Sequence, residues 1–150
     1  MSTHTHSSDE LQRDAARILA DIVPAEGATL LTLSGELGAG KTTFVQGIAE
    51  ALGVREVVTS PTFVIEKVYT LEGQRWQRLI HIDAYRLHDP HELEMLGWKE
   101  LLLDAGNLIV LEWPERVELI IPDTAIRIRI DIEGDGRIIT IYGGKKKEEN

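Results

Sequence analysis

The stretch ATLLTLSGELGAGKTTFVQGIAEAL, residues 28–52, decides how this chain folds. Its opening apolar run reads as a buried strand. From Lys41 to Leu52 the residues Phe44, Val45, Ile48 and Leu52 recur at helical spacing, and Gly53 closes that helix. Between the two, Gly35 to Thr42 fits G-x-x-x-x-G-K-[ST] in full. Glycines there let backbone N–H groups turn inward around phosphate oxygens, and the following helix presents its positive end. Lys41 reaches the β and γ oxygens, and Thr42 offers its hydroxyl to Mg²⁺. The expected nucleotide contacts are Glu36, Leu37, Gly38, Ala39, Gly40, Lys41, Thr42 and Thr43.

The bulk properties set limits on what such a loop serves. One domain fits 150 residues, of which 43% are hydrophobic and 27% charged. No apolar run approaches the roughly 20 residues that span a bilayer, and MSTHTHSSDELQRD lacks the features of a secretory signal. Cytoplasmic localisation is therefore expected. With no cysteine there is no disulfide framework, and a net charge of -9 argues against this chain gripping a nucleic-acid backbone by itself.

Ser7 and Glu10 have capping-box spacing ahead of Leu11, Ala15, Ile18, Leu19 and Ile22, which predicts an amphipathic helix over residues 8–22 ended by Pro24. TFVIEKVYT, residues 62–70, reads as a strand, followed by a turn at LEGQ. LIHID, residues 79–83, and NLIVLE, residues 107–112, are short buried strands. Asp89-Pro90 starts a helix over Glu92 to Asp104 that Gly97 interrupts. AIRIRIDIE sets Ile126, Ile128, Ile130 and Ile132 against Arg127, Arg129, Asp131 and Glu133, and a GDG turn leads into RIITIYG, a half-solvated hairpin whose arginines face water. Residues 1–7 and 144–150, including the Lys145–Lys147 run, are expected to be disordered tails. The fold class that follows is α/β, a single P-loop NTPase domain with a mostly parallel central sheet, flanking helices and a C-terminal antiparallel hairpin.

A phosphate loop needs a carboxylate at the end of a neighbouring strand to serve Mg²⁺. Asp83 and Glu112 both hold such positions, at the edge where open α/β sheets bind ligands. One can serve the metal while the other positions or deprotonates the attacking water; sequence alone leaves the order open. His81, Asp83, His88 and His91 match no standard zinc spacing. Thr59-Ser60-Pro61-Thr62 follows the loop helix where many nucleoside triphosphatases sense the γ-phosphate, and Thr62 is the expected contact; a plain turn before a strand has the same appearance.

Taken in order, GELGAGKTT, TSPTF, HIDAYRL and LEWPE closely resemble the bacterial TsaE (YjeE) family of P-loop ATPases over nearly the whole chain. The resemblance implies an ATP- and Mg²⁺-dependent ATPase required for the threonylcarbamoyladenosine modification at position 37 of tRNAs that read codons beginning with A. It implies the partners TsaD and TsaB, with tRNA met indirectly through them and ATP used to reset the complex rather than to build the product. By motif, Lys41 and its loop hold phosphates, Thr42 and Glu112 resemble the Mg²⁺ ligands, and Asp83 resembles the residue linked to hydrolysis. Thr62 falls in the family's switch-like segment, and Tyr85, Arg86 and Trp113 lie in motifs important for activity or partner contact. The first helix departs from the family, which often has threonine and glycine where Gln12 and Ala15 stand. A small-molecule kinase is the alternative, although no arginine-rich lid is present; a GTP switch would want an N-K-x-D element, and a helicase a basic strand-tracking surface.

Overall fold

The computed structural model describes residues 2–56, 58–59 and 66–143. In chain order the elements are β1 (Ser2–Thr5), α1 (Ser8–Ala20), β2 (Thr29–Ser34), α2 (Lys41–Ala51), β3 (Glu66–Thr70), β4 (Arg78–Asp83), α3 (Pro90–Glu94), α4 (Trp98–Leu103), β5 (Asn107–Glu112), β6 (Ile126–Glu133) and β7 (Gly136–Gly143). The strands form one sheet in the order β1-β7-β6-β2-β5-β4-β3. Its centre is parallel: β5 lies between β2 and β4 and runs with both, and β6 runs with β2. Antiparallel β3 flanks one side, and the β6–β7 hairpin followed by antiparallel β1 flanks the other.

Alternation along the central strands sends apolar side chains to both faces, which is why these strands read as continuous hydrophobic runs. Leu31, Leu33, Leu79, Leu108 and Val110 pack beneath α1 and α2 with Leu11, Ala15, Phe44, Val45 and Ile48. Leu30, Ile80, Ile82, Ile109 and Leu111 pack on the opposite face with Leu93 of α3 and Trp98 of α4. The parallel strands β2, β4 and β5 share a direction, so the phosphate loop, Asp83 and Glu112 all emerge at one edge of the sheet.

Helix α1 is capped as its sequence predicts, the Ser7 hydroxyl accepting from Glu10 N at 3.1 Å and the Glu10 carboxylate accepting from His6 N at 2.8 Å. It ends at Ala20, two residues earlier than the pattern suggests, where the Arg75 guanidinium reaches the carbonyls of Leu19 and Ile22. Gly97 at φ 87° turns the expected long helix into two short ones, α3 and α4, because a left-handed residue cannot continue a right-handed helix. Of the expected strand over 62–70, Glu66–Thr70 is formed and residues 62–65 lie outside the described residues. The N-terminal segment corrects the expectation of a disordered tail: Ser2–Thr5 pairs with β7 from Ser2↔Thr140 to Thr5↔Arg137, and Thr5 is buried. Residues 144–150 lie outside the described residues. Arg127 pairs with Glu118 at 3.0 Å and Arg129 with Asp131 at 3.0 Å, so both hairpin arginines engage surface carboxylates.

Helices α1 and α2 approach closely because Gly47 has no side chain; a Cβ there would lie 2.6 Å from the Gln12 carbonyl oxygen. Gly47→Ala is therefore expected to push the helices apart and cost about 2 kcal/mol. For a chain of this size that lowers Tm by roughly 4–8 °C, measurable by calorimetry. An unchanged Tm would show that α1 accommodates the methyl group.

A candidate nucleotide-binding site

The loop between β2 and α2 has positive φ at Gly35, Gly38 and Gly40. At Gly40 the need for glycine is double: φ is 107°, and a Cβ would sit 2.7 Å from a Leu11 methyl. Gly40 also precedes α2, whose N-terminus carries no side-chain cap and no acidic residue in its first turn. The orphan N–H groups of that turn are thus presented to an anion. Arg137, from β7, fixes the other side of the loop by donating to the carbonyls of Ala39 at 3.0 Å and Gly38 at 3.2 Å. Holding those carbonyls outward favours inward-facing N–H groups, the arrangement a phosphate needs.

Lys41 begins α2 yet is 7% exposed. Its ammonium donates to the carbonyls of Gly35 and Glu36, and Nζ lies 4.0 Å from the centroid of the Trp113 ring. Burial holds the Lys41 pKa below its usual value of 10.5, opposed by the charges of Glu112, Glu115, Asp83 and Glu36 in falling order. Trp113 is the non-glycine residue with positive φ among those described, at 58°. Pro114 disfavours the right-handed helical region for it, and a bond from Trp113 N to Leu33 O at 3.3 Å ties it to β2. Its indole meets the Tyr85 ring at 4.9 Å with a 53° tilt, and the Arg116 guanidinium stands 5.5 Å from Tyr85. The motif residues Tyr85 and Trp113 therefore form one aromatic wall beside Lys41, while Arg86 is exposed.

Asp83 and Glu112 are register neighbours on β4 and β5. Their surroundings differ. Asp83 is half-buried and accepts from Tyr85 N at 2.9 Å. Glu112 is 3% exposed, and its Oε2 is hydrogen-bonded to Nε2 of the fully buried His81. Thr42 is half-buried at the start of α2. Among the described residues no three His, Cys, Asp or Glu side chains converge as a metal site of their own. Mg²⁺ fits this donor set in its usual manner, through a hydroxyl, one carboxylate and oxygens of the bound phosphates. The carboxylates of Glu112, Glu115, Asp83 and Glu36 all act on the single lysine, a charge balance that a dication would complement.

Next to the loop lies a cavity of about 320 Å³, bounded by Thr5, His6 and Ser7 on one side and Gly38, Thr43 and Arg137 on the other. The sequence reading missed this wall because it took residues 1–7 for a tail. Gln12 turns away from it, its amide reaching Gln46 at 3.3 Å. Thr62 lies outside the described residues; Thr59 is exposed, and the preceding carbonyl of Val58 accepts from Gln46 at 2.9 Å.

Residues 5–139 match the family model of the threonylcarbamoyl adenosine biosynthesis protein TsaE. The chain belongs to the TsaE family. A TsaE from Streptomyces coelicolor is 47% identical over 121 residues, which cover 79% of this chain and 78% of that protein. TsaE from Haemophilus influenzae is 35% identical over 116 residues, covering 77% and 71%. The crystal structure of Bacillus subtilis YdiB superposes with a TM-score of 0.77 at 32% identity, covering 97% of this chain and 86% of that one. These TsaE relatives are tRNA threonylcarbamoyladenosine biosynthesis proteins, and the shared family ties the chain to that pathway. No helix among the described residues is long and apolar enough to cross a membrane.

Proposed function

We propose that this TsaE-family chain binds ATP with Mg²⁺ and hydrolyses it in the cytoplasm, acting on a TsaD–TsaB complex so that tRNA threonylcarbamoyladenosine synthesis turns over repeatedly. The observation that carries this reading is the meeting of Lys41, the uncapped start of α2, Asp83 and Glu112 at one sheet edge. The loop N–H groups and Lys41 cradle the β- and γ-phosphates, with Lys41 leaving the carbonyls of Gly35 and Glu36 for the phosphate oxygens. Thr43 and the neighbouring cavity receive the nucleoside half. Thr42 and Glu112 would hold Mg²⁺, which would supply neutralisation of the phosphate charge. Asp83, less buried and one strand over, orients the attacking water.

The site contains no arginine aimed at the position of a γ-phosphate among the described contacts: Arg137 is committed to loop carbonyls and Arg116 to Tyr85. Slow hydrolysis by the chain alone follows, with completion of the site by the partner complex. Steady-state phosphate release should therefore rise at least tenfold when TsaD and TsaB are added. Rapid turnover by the isolated chain would overturn the partner-completed site, and no stimulation with phosphate transferred to a small molecule instead of water would favour a kinase.

A further inference from the structure

The His81 side chain is 0% exposed on β4, on the face covered by α1 and α2, two residues before Asp83. Its Nε2 faces Oε2 of Glu112, an acceptor when ionised, so Nε2 is the nitrogen that donates. Nδ1 is equally buried and has no hydrogen-bond partner among the described residues. A histidine kept for packing alone would be a poor choice here: a buried polar atom left unpaired costs about 1–3 kcal/mol, whereas leucine fills similar space without it. Among the described residues the one polar contact of the ring is with Glu112, one residue before the strained Trp113 and beside the like-charged Asp83. Without that bond the Glu112 carboxylate would be buried beside another carboxylate with its rotation undetermined.

We propose that His81 is a positioning residue, which engages Oε2 of Glu112 and thereby leaves Oε1 set for the Mg²⁺ shell. This rests on the nucleotide and Mg²⁺ reading above. Partners of this kind behind a metal-binding side chain alter metal affinity by roughly 10–100-fold when removed. His81→Leu deletes the donor and keeps the bulk; His81→Gln carries an N–H donor to about the place of Nε2.

The test is calorimetric binding of a non-hydrolysable β,γ-imido ATP analogue to the full chain across a Mg²⁺ titration, with thermal melting beside it. For His81→Leu, affinity in EDTA should stay within about twofold of wild type. The Mg²⁺ concentration giving half-maximal tightening should rise roughly 10–100-fold. His81→Gln should return it to within a few fold of wild type. Should His81→Leu fail to fold, His81→Asn takes its place, since its shorter amide ends near Nδ1 and does not reach Glu112. An unchanged Mg²⁺ requirement in the donor-less variant, or equal impairment with His81→Gln, would overturn the inference. If wild type itself shows no tightening with Mg²⁺, the nucleotide and metal reading fails, a different result from the failure of His81 alone.

Discussion

Lys41→Met is expected to weaken nucleotide binding at least about a hundredfold while leaving the fold as stable as wild type, or more so. A hundredfold corresponds to about 2.7 kcal/mol, within reach of one lost ammonium that donates to two phosphate groups, since hydrogen bonds to charged groups are worth about 1.5–3 kcal/mol each. Methionine keeps the length of the stem against Trp113, so packing changes little. The stability half of the prediction comes from the direction of the pKa shift. Burial outweighs the attraction of Glu112, Glu115, Asp83 and Glu36, so the folded pKa lies below 10.5. At neutral pH the desolvation of the buried ammonium, only partly offset by those carboxylates, therefore works against folding.

Between the lowered folded pKa and 10.5 the unfolded chain binds more protons than the folded one, and stability rises with pH across that window. The advantage of Lys41→Met in Tm should consequently be largest at neutral pH and shrink as pH is raised toward 10.5. Calorimetric binding and melting curves at several pH values measure both halves. Binding within about threefold of wild type would remove Lys41 from the phosphate site. A variant less stable than wild type at neutral pH would mean that the surrounding carboxylates need the lysine to hold the loop. The physical picture is of a residue placed for its ligand at some expense to the free protein, a common trade at sites.

What the sequence made legible was local. The strand, glycine loop and helix of residues 28–52 are contiguous, so their periodicities and the motif spacing reach from one to the next without any fold being known. The paired carboxylates were visible because each ends its own apolar strand, and the break at Gly97 because glycine interrupts a helical pattern. What stayed hidden was non-local. The polar segment Ser2–Thr5 has no hydrophobic signal and becomes a strand only because β7 offers it a free edge. Arg137 reaches carbonyls 98 and 99 residues away in sequence, a link that no motif encodes. His81 was read beside other histidines as a zinc pattern to be weighed; its partner, Glu112, lies 31 residues on and becomes a neighbour only through the parallel pairing of β4 with β5. The order of the two carboxylates was likewise open, and the difference in their burial and partners, which supports the proposed order, appears only in the fold.

Those surroundings predict opposite behaviour for Asp83→Asn and Glu112→Gln. Glu112 is buried and tethered by His81, which suits a ligand that must hold one geometry around an ion. Asp83 is half-buried and keeps a hydrogen bond from Tyr85 N that asparagine can also accept, so Asp83→Asn should leave the local turn intact. Its Mg²⁺-nucleotide affinity should remain within about threefold of wild type. Turnover in the presence of TsaD and TsaB should fall at least about a hundredfold, the range lost when a group that positions or deprotonates water is removed. Glu112→Gln should instead lose the Mg²⁺-dependent part of nucleotide binding and, with it, turnover. Calorimetric affinity and single-turnover hydrolysis on the same two variants separate these outcomes. If Asp83→Asn loses Mg²⁺-dependent affinity while Glu112→Gln retains it, the two carboxylates have exchanged places, and the tether from His81 then holds the catalytic group rather than the metal ligand.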